Sequence, residues 1–305
     1  MTTAAVMERI ETASEPAPAG RGSRGRRRRT SSPGAAAGTV LTHVFLWGYA
    51  IVAVGPLLIM LAGSFRNSAD IYRNPLGLEF PLSVDAYVTA WTNGNFSTYF
   101  FNSVLVTVAS VALTVVVSVP AAYALAQGRS RILSLIESAF VSGLMLPVHL
   151  AILPVFYMLD AMRLVDTTVG LILLYGAVGV PFSIFVLTSF FRQLPPDLEE
   201  AAQLDGAGPL RRFWAIMVPL VRPAIATVVV FRFVPVWNDF IYPLVLLRDR
   251  DNYTIPVGLR TFFGSYQTDW SALFAGLTVA TIPLVLLFLL ATRQIIAGLT
   301  AGISK

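Results

Sequence analysis

Six long apolar segments, separated by shorter polar stretches, form the dominant pattern along this chain. Each has about 20 residues or more, the length that an α-helix needs to cross the hydrocarbon core of a bilayer. Several contain prolines, which a membrane bundle tolerates as kinks because neighbouring groups satisfy the freed backbone. The pattern predicts an all-α integral membrane protein with six transmembrane helices. The predicted spans are residues 41–64, 101–126, 134–159, 168–190, 222–247 and 271–292.

One polar loop, residues 191–221, is too patterned to be a simple linker. Pro195 and Pro196 are well placed to open a helix. Acidic residues follow in its first turn, where they complement the positive end of the helix dipole. Gly206 is a natural helix stop because glycine accepts the left-handed conformation. We therefore predict a short helix, a sharp glycine turn and a second helix that starts near Pro209 and leads into the fifth span.

Composition supports a membrane protein and excludes several kinds of site. Of the 305 residues, 55% are apolar and 13% are charged, whereas a soluble domain has about 25% charged residues. The mean hydropathy is +0.69. The absence of cysteine excludes disulfides and cysteine metal sites. The single lysine is Lys305, so the phosphate-binding motif GxxxxGK[ST] is excluded. Two histidines, His43 and His149, cannot by themselves build a His-rich metal site.

Most of the net charge of +5 comes from an arginine-rich N-terminal segment. Residues 1–39 have almost no large apolar side chains, which predicts a disordered tail. A basic cluster can bind nucleic acid, but this one directly precedes an apolar span, which favours a cytoplasmic membrane flank and no nucleic-acid partner. With the N-terminus inside, the inside segments hold 15 Arg and Lys and the outside loops hold 6. The count predicts that both termini are cytoplasmic.

Short motifs along the chain resemble the permeases of binding-protein-dependent ABC importers. Those that resemble the EAA signature of these permeases are Glu200-Ala201-Ala202, Asp205-Gly206-Ala207, Phe213, Ile216 and Val218-Pro219. Those that resemble sugar-uptake permeases are Asn102-Ser103, Trp237-Asn238-Asp239-Phe240, Tyr253-Thr254-Ile255-Pro256-Val257-Gly258-Leu259 and Gly298-Leu299-Thr300-Ala301-Gly302. The family usually has Leu where Val218 stands. The resemblance runs from about residue 40 to the end and is closest to the maltose-permease G-like subunits.

The resemblance implies a type I ABC importer permease fold in a bacterial cell membrane, with residues 40–305 as the permease domain. It implies a second homologous permease, two ATP-binding subunits and an extracytoplasmic sugar-binding protein as partners, and a sugar as substrate. It makes this chain a non-catalytic subunit, with ATP and Mg²⁺ bound by the ATPase partners. The 191–221 loop would be the coupling element. The residues it would use are Glu200, Ala201, Ala202, Leu204, Asp205, Gly206 and Ala207.

Polar residues inside the fifth predicted span are candidates for the translocation path, because such residues are costly in a membrane. Arg232 and Asp239 lie seven residues apart, about 10 Å along a helix, so each is expected to find a partner elsewhere. Trp237, Asn238 and Tyr242 suit a sugar, to which they offer flat rings and an amide. The alternatives are an interfacial aromatic belt for the two rings and a contact between helices for the amide.

Three other interpretations are open for the chain and its polar residues. A gradient-driven carrier would need carboxylates at the middle of the membrane and paired broken helices, and Asp239 alone supports it weakly. A membrane enzyme would need clustered acids to hold a metal, and only Asp249-Arg250-Asp251 comes close; a solvated turn explains that run better. His149 could serve as a proton relay, but a hydrogen-bonded structural role is favoured.

Overall fold

The computed structural model describes residues 33–77, 82–92, 94–128, 130–145, 147–263 and 268–301, with side chains described between 38 and 291. The described chain is helical apart from loops and one isolated bridge between Phe263 and Thr268. The helices are α1 (Pro33–Gly63), α2 (Ser68–Arg73), α3 (Asp85–Thr92), α4 (Phe96–Gln127), α5 (Arg131–Gly143), α6 (Ile152–Ala161), α7 (Thr168–Phe191), α8 (Asp197–Leu204), α9 (Pro209–Leu220), α10 (Arg222–Asn238), α11 (Ile241–Leu246), α12 (Ile255–Gly258) and α13 (Trp270–Ala301).

Contacts divide the chain into two units, Met1–Val54 and Gly55–Lys305. The first is described only from Pro33, where α1 begins, so residues 33–39 are helical rather than part of a disordered tail. The remainder of that predicted tail, residues 1–32, lies outside the described residues, as does Gly302 of the C-terminal motif. The second unit contains the other helices and every site discussed below.

Among the described residues, four helices are long and apolar enough to cross a membrane without interruption: α1 from Gly38, α4, α7 and α13 up to Ala291. Two further spans are possible, each made of a bent pair of helices. In one pair α5 lies at 91° to Val148–Ala161, and in the other α9 lies at 69° to α10. The structure thus agrees with six spans, but the third and fifth are broken rather than continuous.

Two prolines explain why helices end inside the predicted third and fifth spans. A proline ring clashes with the carbonyl four residues earlier, which prevents the helix from running through both positions. Pro147 stands four residues after Gly143, where α5 ends. Pro243 stands four residues after Asp239, where the chain turns extended after α10. The expectation of simple kinks was wrong at these two positions.

The second unit is built around the close pairing of α4 with α7. Small residues make this pairing possible, because a Cβ atom at Gly179 would lie 2.4 Å from Oγ1 of Thr114. Thr114 in turn donates a hydrogen bond to the Gly176 carbonyl at 3.0 Å. Close approach of backbones through small residues, with hydroxyl contacts between helices, is the usual way that helices pack in a membrane. The pair provides the frame on which α8 to α11 are mounted.

Two loops beside the N-terminal end of α7 are tied into one surface, which we name the loop platform (residues 162–167 and 247–254). The Asp166 carboxylate accepts hydrogen bonds from the backbone N–H groups of Arg248 and Asp249, at 2.8 and 3.0 Å. The side chain of Asn252 donates to the Asp166 carbonyl at 2.8 Å. Burial alone would raise the pKa of the Asp166 carboxyl, but these hydrogen bonds and the nearby Arg248 charge hold it below its ordinary value.

The N-terminal half of α4 holds the same platform through the Asn102-Ser103 pair. The Asn102 amide donates to the carbonyls of Asp251 and Tyr253, at 2.7 and 3.0 Å. The Ser103 hydroxyl accepts from the Ile255 N–H at 2.8 Å. Asp249 accepts from the Asp251 N–H at 3.1 Å, so the Asp249–Asp251 run is a capped turn. Among the described residues, no three His, Asp or Glu side chains are placed to hold a metal ion.

Candidate functional site

The 191–221 loop folds as two short helices joined by a glycine turn. Helix α8 begins directly after Pro196, with its acidic residues in the first turn. At its C-terminal end the Ala207 N–H bonds the Ala202 carbonyl at 2.9 Å and the Gly206 N–H bonds the Gln203 carbonyl at 3.1 Å. Gly206 has φ of +77°. This is the Schellman motif, in which glycine takes the left-handed position, so the predicted turn is confirmed.

Glu199 ties this loop to the C-terminal end of α4. Its carboxylate accepts hydrogen bonds from the Tyr123 hydroxyl at 2.8 Å and from the Gln127 amide. Arg212, at the start of the second helix, lies 3.7 Å from the same carboxylate and donates to Gln203 at 3.2 Å. One carboxylate therefore connects α4, α8 and α9. The sequence showed Glu199 only as a favourable first-turn residue, because its partners on α4 are more than 70 residues away along the chain.

The remaining residues of the EAA-like motif separate into two groups. Ala202 is 6% exposed and packs inward, so it supports the turn and cannot contact a partner directly. Glu200, Ala201 and Asp205 are exposed. Leu204 is 89% exposed. Of the two alanines of the motif, only Ala201 is therefore on the outer surface of the loop.

Two large apolar side chains that the motif does not include extend the exposed surface of the loop. Leu210 is 75% exposed and Trp214 is 62% exposed. Trp214 follows Phe213, which is buried against the Tyr123 ring at 5.0 Å. The second helix is π-helical over Arg212–Met217, a geometry that is frequent at functional sites. We refer to the exposed side chains of Leu204, Leu210 and Trp214 together as the apolar face of the loop.

A second candidate site is a cavity of about 440 Å³ beside the break between α10 and α11. Asn238, Asp239 and Tyr242, three of the four predicted path residues, line it. Residues Val148, His149, Tyr175 and Arg232 contribute further lining. The cavity therefore combines aromatic rings with one anionic and one cationic side chain.

Tyr175 of α7 connects the two halves of the broken helix. Its hydroxyl donates to Oδ2 of Asp239 at 3.0 Å, and its backbone carbonyl accepts from Arg232 at 3.5 Å. The other oxygen of Asp239 accepts the Ile241 N–H at 2.8 Å, in the first turn of α11. Arg232 and Asp239 are thus not paired directly, and both reach Tyr175. The expectation of partners on another helix is confirmed.

Trp237 does not line this cavity. It is 3% exposed, its indole N–H donates to the Ala280 carbonyl of α13 at 3.1 Å, and its ring stacks on Phe233 at 5.6 Å. Neither a sugar contact nor an interfacial belt describes this ring; it packs α10 against α13. Asn238 donates to the Val234 carbonyl of its own helix at 3.0 Å, not to a neighbouring helix.

His149 and Tyr242 form one wall of the cavity. Their rings stack with centroids 5.6 Å apart, and the Tyr242 hydroxyl donates to the Val148 carbonyl at 2.6 Å. Tyr242 is itself 2% exposed, so it shapes the wall rather than offering its hydroxyl to a ligand. The predicted hydrogen-bonded role of His149 is replaced by ring stacking.

Comparison with known proteins identifies the class of this molecule. Residues 118–300, more than half of the chain, match the family described as binding-protein-dependent transport system inner membrane component. The chain belongs to this family. It is a multi-pass membrane permease rather than an enzyme, which excludes the carrier and enzyme interpretations. The match includes the whole 191–221 loop and the cavity-lining parts of α7, α10 and α11.

Relatives and solved structures agree with this assignment. The permease is 36% identical over 264 residues to the diacetylchitobiose uptake system permease protein NgcG of Streptomyces coelicolor, covering 86% of this chain and 87% of that one. It is 34% identical to the arabinooligosaccharides transport system permease protein AraQ of Halalkalibacterium halodurans, covering 83% and 91%. A chain from the crystal structure of a bacterial ABC transporter involved in alginate import shares its fold, with TM-score 0.77, 22% identity, and 86% and 98% covered.

Proposed function

We propose that this permease forms half of the translocation path of an ATP-driven importer for a disaccharide or oligosaccharide. A second homologous permease completes the path, two ATP-binding subunits supply the energy, and an extracytoplasmic binding protein delivers the sugar. ATP and Mg²⁺ bind to the ATPase partners. Support for a saccharide comes from the relatives named for diacetylchitobiose and arabinooligosaccharide uptake.

The observation that carries the proposal is the construction of the 191–221 loop. Glu199 fixes its base to α4, while the apolar face, Leu204, Leu210 and Trp214, is left exposed. Large apolar side chains left exposed on a polar element are typical of a protein interaction site. A rigid base with an exposed apolar tip suits an element that docks into a partner and transmits its motion. We assign the ATP-binding subunit as that partner.

The proposed orientation places the 191–221 loop in the cytoplasm and the loop platform outside. The excess of Arg and Lys in the segments on the side of the 191–221 loop supports this orientation. The cavity then lies on the outer side of α10, where the binding protein would release the sugar. Asn238 and Asp239 are the proposed sugar-contact residues, and Tyr242 shapes the wall.

Single-cysteine cross-linking tests this proposal. Because the sequence contains no cysteine, only the introduced residue can react. Ala201→Cys should cross-link to a co-purifying ATP-binding subunit and should react with a membrane-impermeant thiol reagent only from the cytoplasmic side. Asp249→Cys, on the loop platform, should react only from the opposite side and should not cross-link to the ATPase. Labelling of both from one side, or capture of the ATPase by neither, would refute the arrangement.

A further inference from the structure

The cavity beside the broken helix contains a cation that no carboxylate neutralises. Arg232 lies half-buried on its wall. Its Nη2 donates to the Tyr175 carbonyl at 3.5 Å, the outer limit of a hydrogen bond. Its Nε is buried without a hydrogen-bond partner. Over the described part of the chain, no Asp or Glu forms an ion pair with this guanidinium.

Asp239, the acid that shares the cavity, is held in place by other donors and not by Arg232. The Tyr175 hydroxyl and the Ile241 N–H take one carboxylate oxygen each. An arginine held in an apolar environment with so little compensation is costly. Residues of this kind inside membrane proteins mark substrate pathways. Nε is enclosed beside Gly179 of α7, so the donors that a ligand in the cavity would use are the Nη groups, whose contact with the Tyr175 carbonyl is at the outer limit of a hydrogen bond.

We propose that Arg232 binds an acceptor oxygen of the transported saccharide, either a carboxylate or the carbonyl of an acetamido group. This inference rests on the proposed function and names the substrate class. A guanidinium has five N–H donors and no acceptor, so it is best matched by groups that only accept. A hydroxyl brings a donor of its own and gains less. Hydrogen bonds to a charged donor are roughly twice as strong as neutral ones.

The rest of the cavity suits a substituted sugar ring. The rings of Tyr175 and Tyr242 meet edge to face at 6.2 Å, and His149 stacks on Tyr242. Tyr175 and Tyr242 are buried and form the back of the wall, whereas the exposed ring of His149 can pack against the C–H face of a pyranose. A mostly apolar pocket with a few polar groups that fix orientation is the usual design of a small-molecule site. The volume of about 440 Å³ is within the range of such sites.

Binding measurements on the complete importer in nanodiscs, without the binding protein, test this inference. The probes are N,N′-diacetylchitobiose, digalacturonate and cellobiose, which carry acetamido, carboxylate and hydroxyl groups. The wild type should bind at least one of the first two more tightly than cellobiose. Arg232→Gln should weaken that preferred probe by at least about tenfold and leave cellobiose unchanged. Arg232→Lys should retain part of the preference because it keeps the charge.

Arg222→Gln is the matched control, since Arg222 is an exposed arginine at the first position of the same helix. It should bind all three probes as the wild type does. Equal weakening of all probes by Arg232→Gln, or a wild type that binds none or shows no preference, would overturn the inference. Co-purification of the ATP-binding subunit with this permease tests the proposed function independently of saccharide binding. Selectivity that is absent from an intact importer would therefore count against Arg232 alone.

Discussion

At the scale of single residues, Gly206 offers the sharpest test of the 191–221 loop. Its φ is +77°, and a Cβ atom added there would meet nothing within 4 Å. A substitution therefore changes backbone preference without creating a clash. A non-glycine residue in the left-handed region costs about 1–2 kcal/mol, and more for a β-branched side chain, which is a genuine outlier there.

We expect Gly206→Val to leave membrane insertion intact and to uncouple ATP hydrolysis from sugar uptake. Gly208→Val is the matched control, because Gly208 also has open space around it but an ordinary φ of −64°. ATPase activity and uptake, measured together in proteoliposomes, give the coupling ratio. A ratio equal to that of Gly208→Val would show that the turn is not required for coupling.

Glu199 is the second residue with a specific role, as the anchor of the loop. Glu199→Gln removes the charge that faces Arg212 and one of the acceptors used by Gln127. We expect a loss of about 1 kcal/mol in local stability, seen as faster hydrogen exchange in α8 and lower uptake. Asp197→Asn removes a charge from the same helix turn at an exposed position. If hydrogen exchange in α8 increases equally in the two variants, the lost charge at the helix N-terminus explains the effect, and the Glu199 contacts with α4 and Arg212 do not.

At the scale of elements, Tyr175 holds the two halves of the broken helix together from α7. Tyr175→Phe removes only the hydroxyl that donates to Asp239. A hydrogen bond to a charged group contributes about 1.5–3 kcal/mol. We expect a lower melting temperature of the purified complex and slower uptake. Tyr157→Phe, at an exposed position of α6, should change neither, and an unchanged melting temperature for Tyr175→Phe would refute the bridging role.

The loop platform carries a pH dependence that follows from Asp166. Because its pKa is lowered in the folded protein, its contribution to stability is complete well above the ordinary value of 3.8 and is lost as pH falls through the folded pKa. Hydrogen exchange of residues 162–167 and 247–254, corrected for intrinsic rates, should therefore increase between about pH 5 and about pH 2. Asp166→Asn should abolish this dependence. Asp160→Asn, at an exposed position nearby, should preserve it.

Sequence reasoning predicted elements well where the signal is local. Prolines, acidic residues and Gly206 specify both helices of the 191–221 loop within the segment 195–209, and the structure agrees. Sequence reasoning was less successful where a contact with a distant residue determines the local structure. The continuous fifth span was wrong because the effect of Pro243 on the Asp239 carbonyl was treated as a kink rather than a break. Trp237 was misplaced because its orientation depends on α13, more than 30 residues further along the chain.

At the scale of the whole molecule, each of the two candidate sites is formed by contacts between different helices. No single segment of the sequence therefore specifies either site. Glu199 acquires its role from Tyr123 and Gln127 of α4, and Asp239 acquires its role from Tyr175 of α7. Gly179 permits the close approach of α4 and α7, the two helices that carry these partners. The sequence identifies Asp239 as energetically costly in a membrane and Glu199 as favourable at a helix start. Only the folded helices show which residues each of them contacts.

One continuous helix, α4, holds a structure at each of its ends. Near its start, Asn102 and Ser103 form hydrogen bonds with the loop platform and the residue that follows it. Near its C-terminal end, Tyr123 and Gln127 donate hydrogen bonds to Glu199 of the 191–221 loop. Ser103 and Tyr123 are 20 positions apart, about 30 Å along a helix at 1.5 Å per residue. The helix thus joins the two loop structures through its own backbone, and under the proposed function a displacement of the 191–221 loop would be carried along α4 to the loop platform.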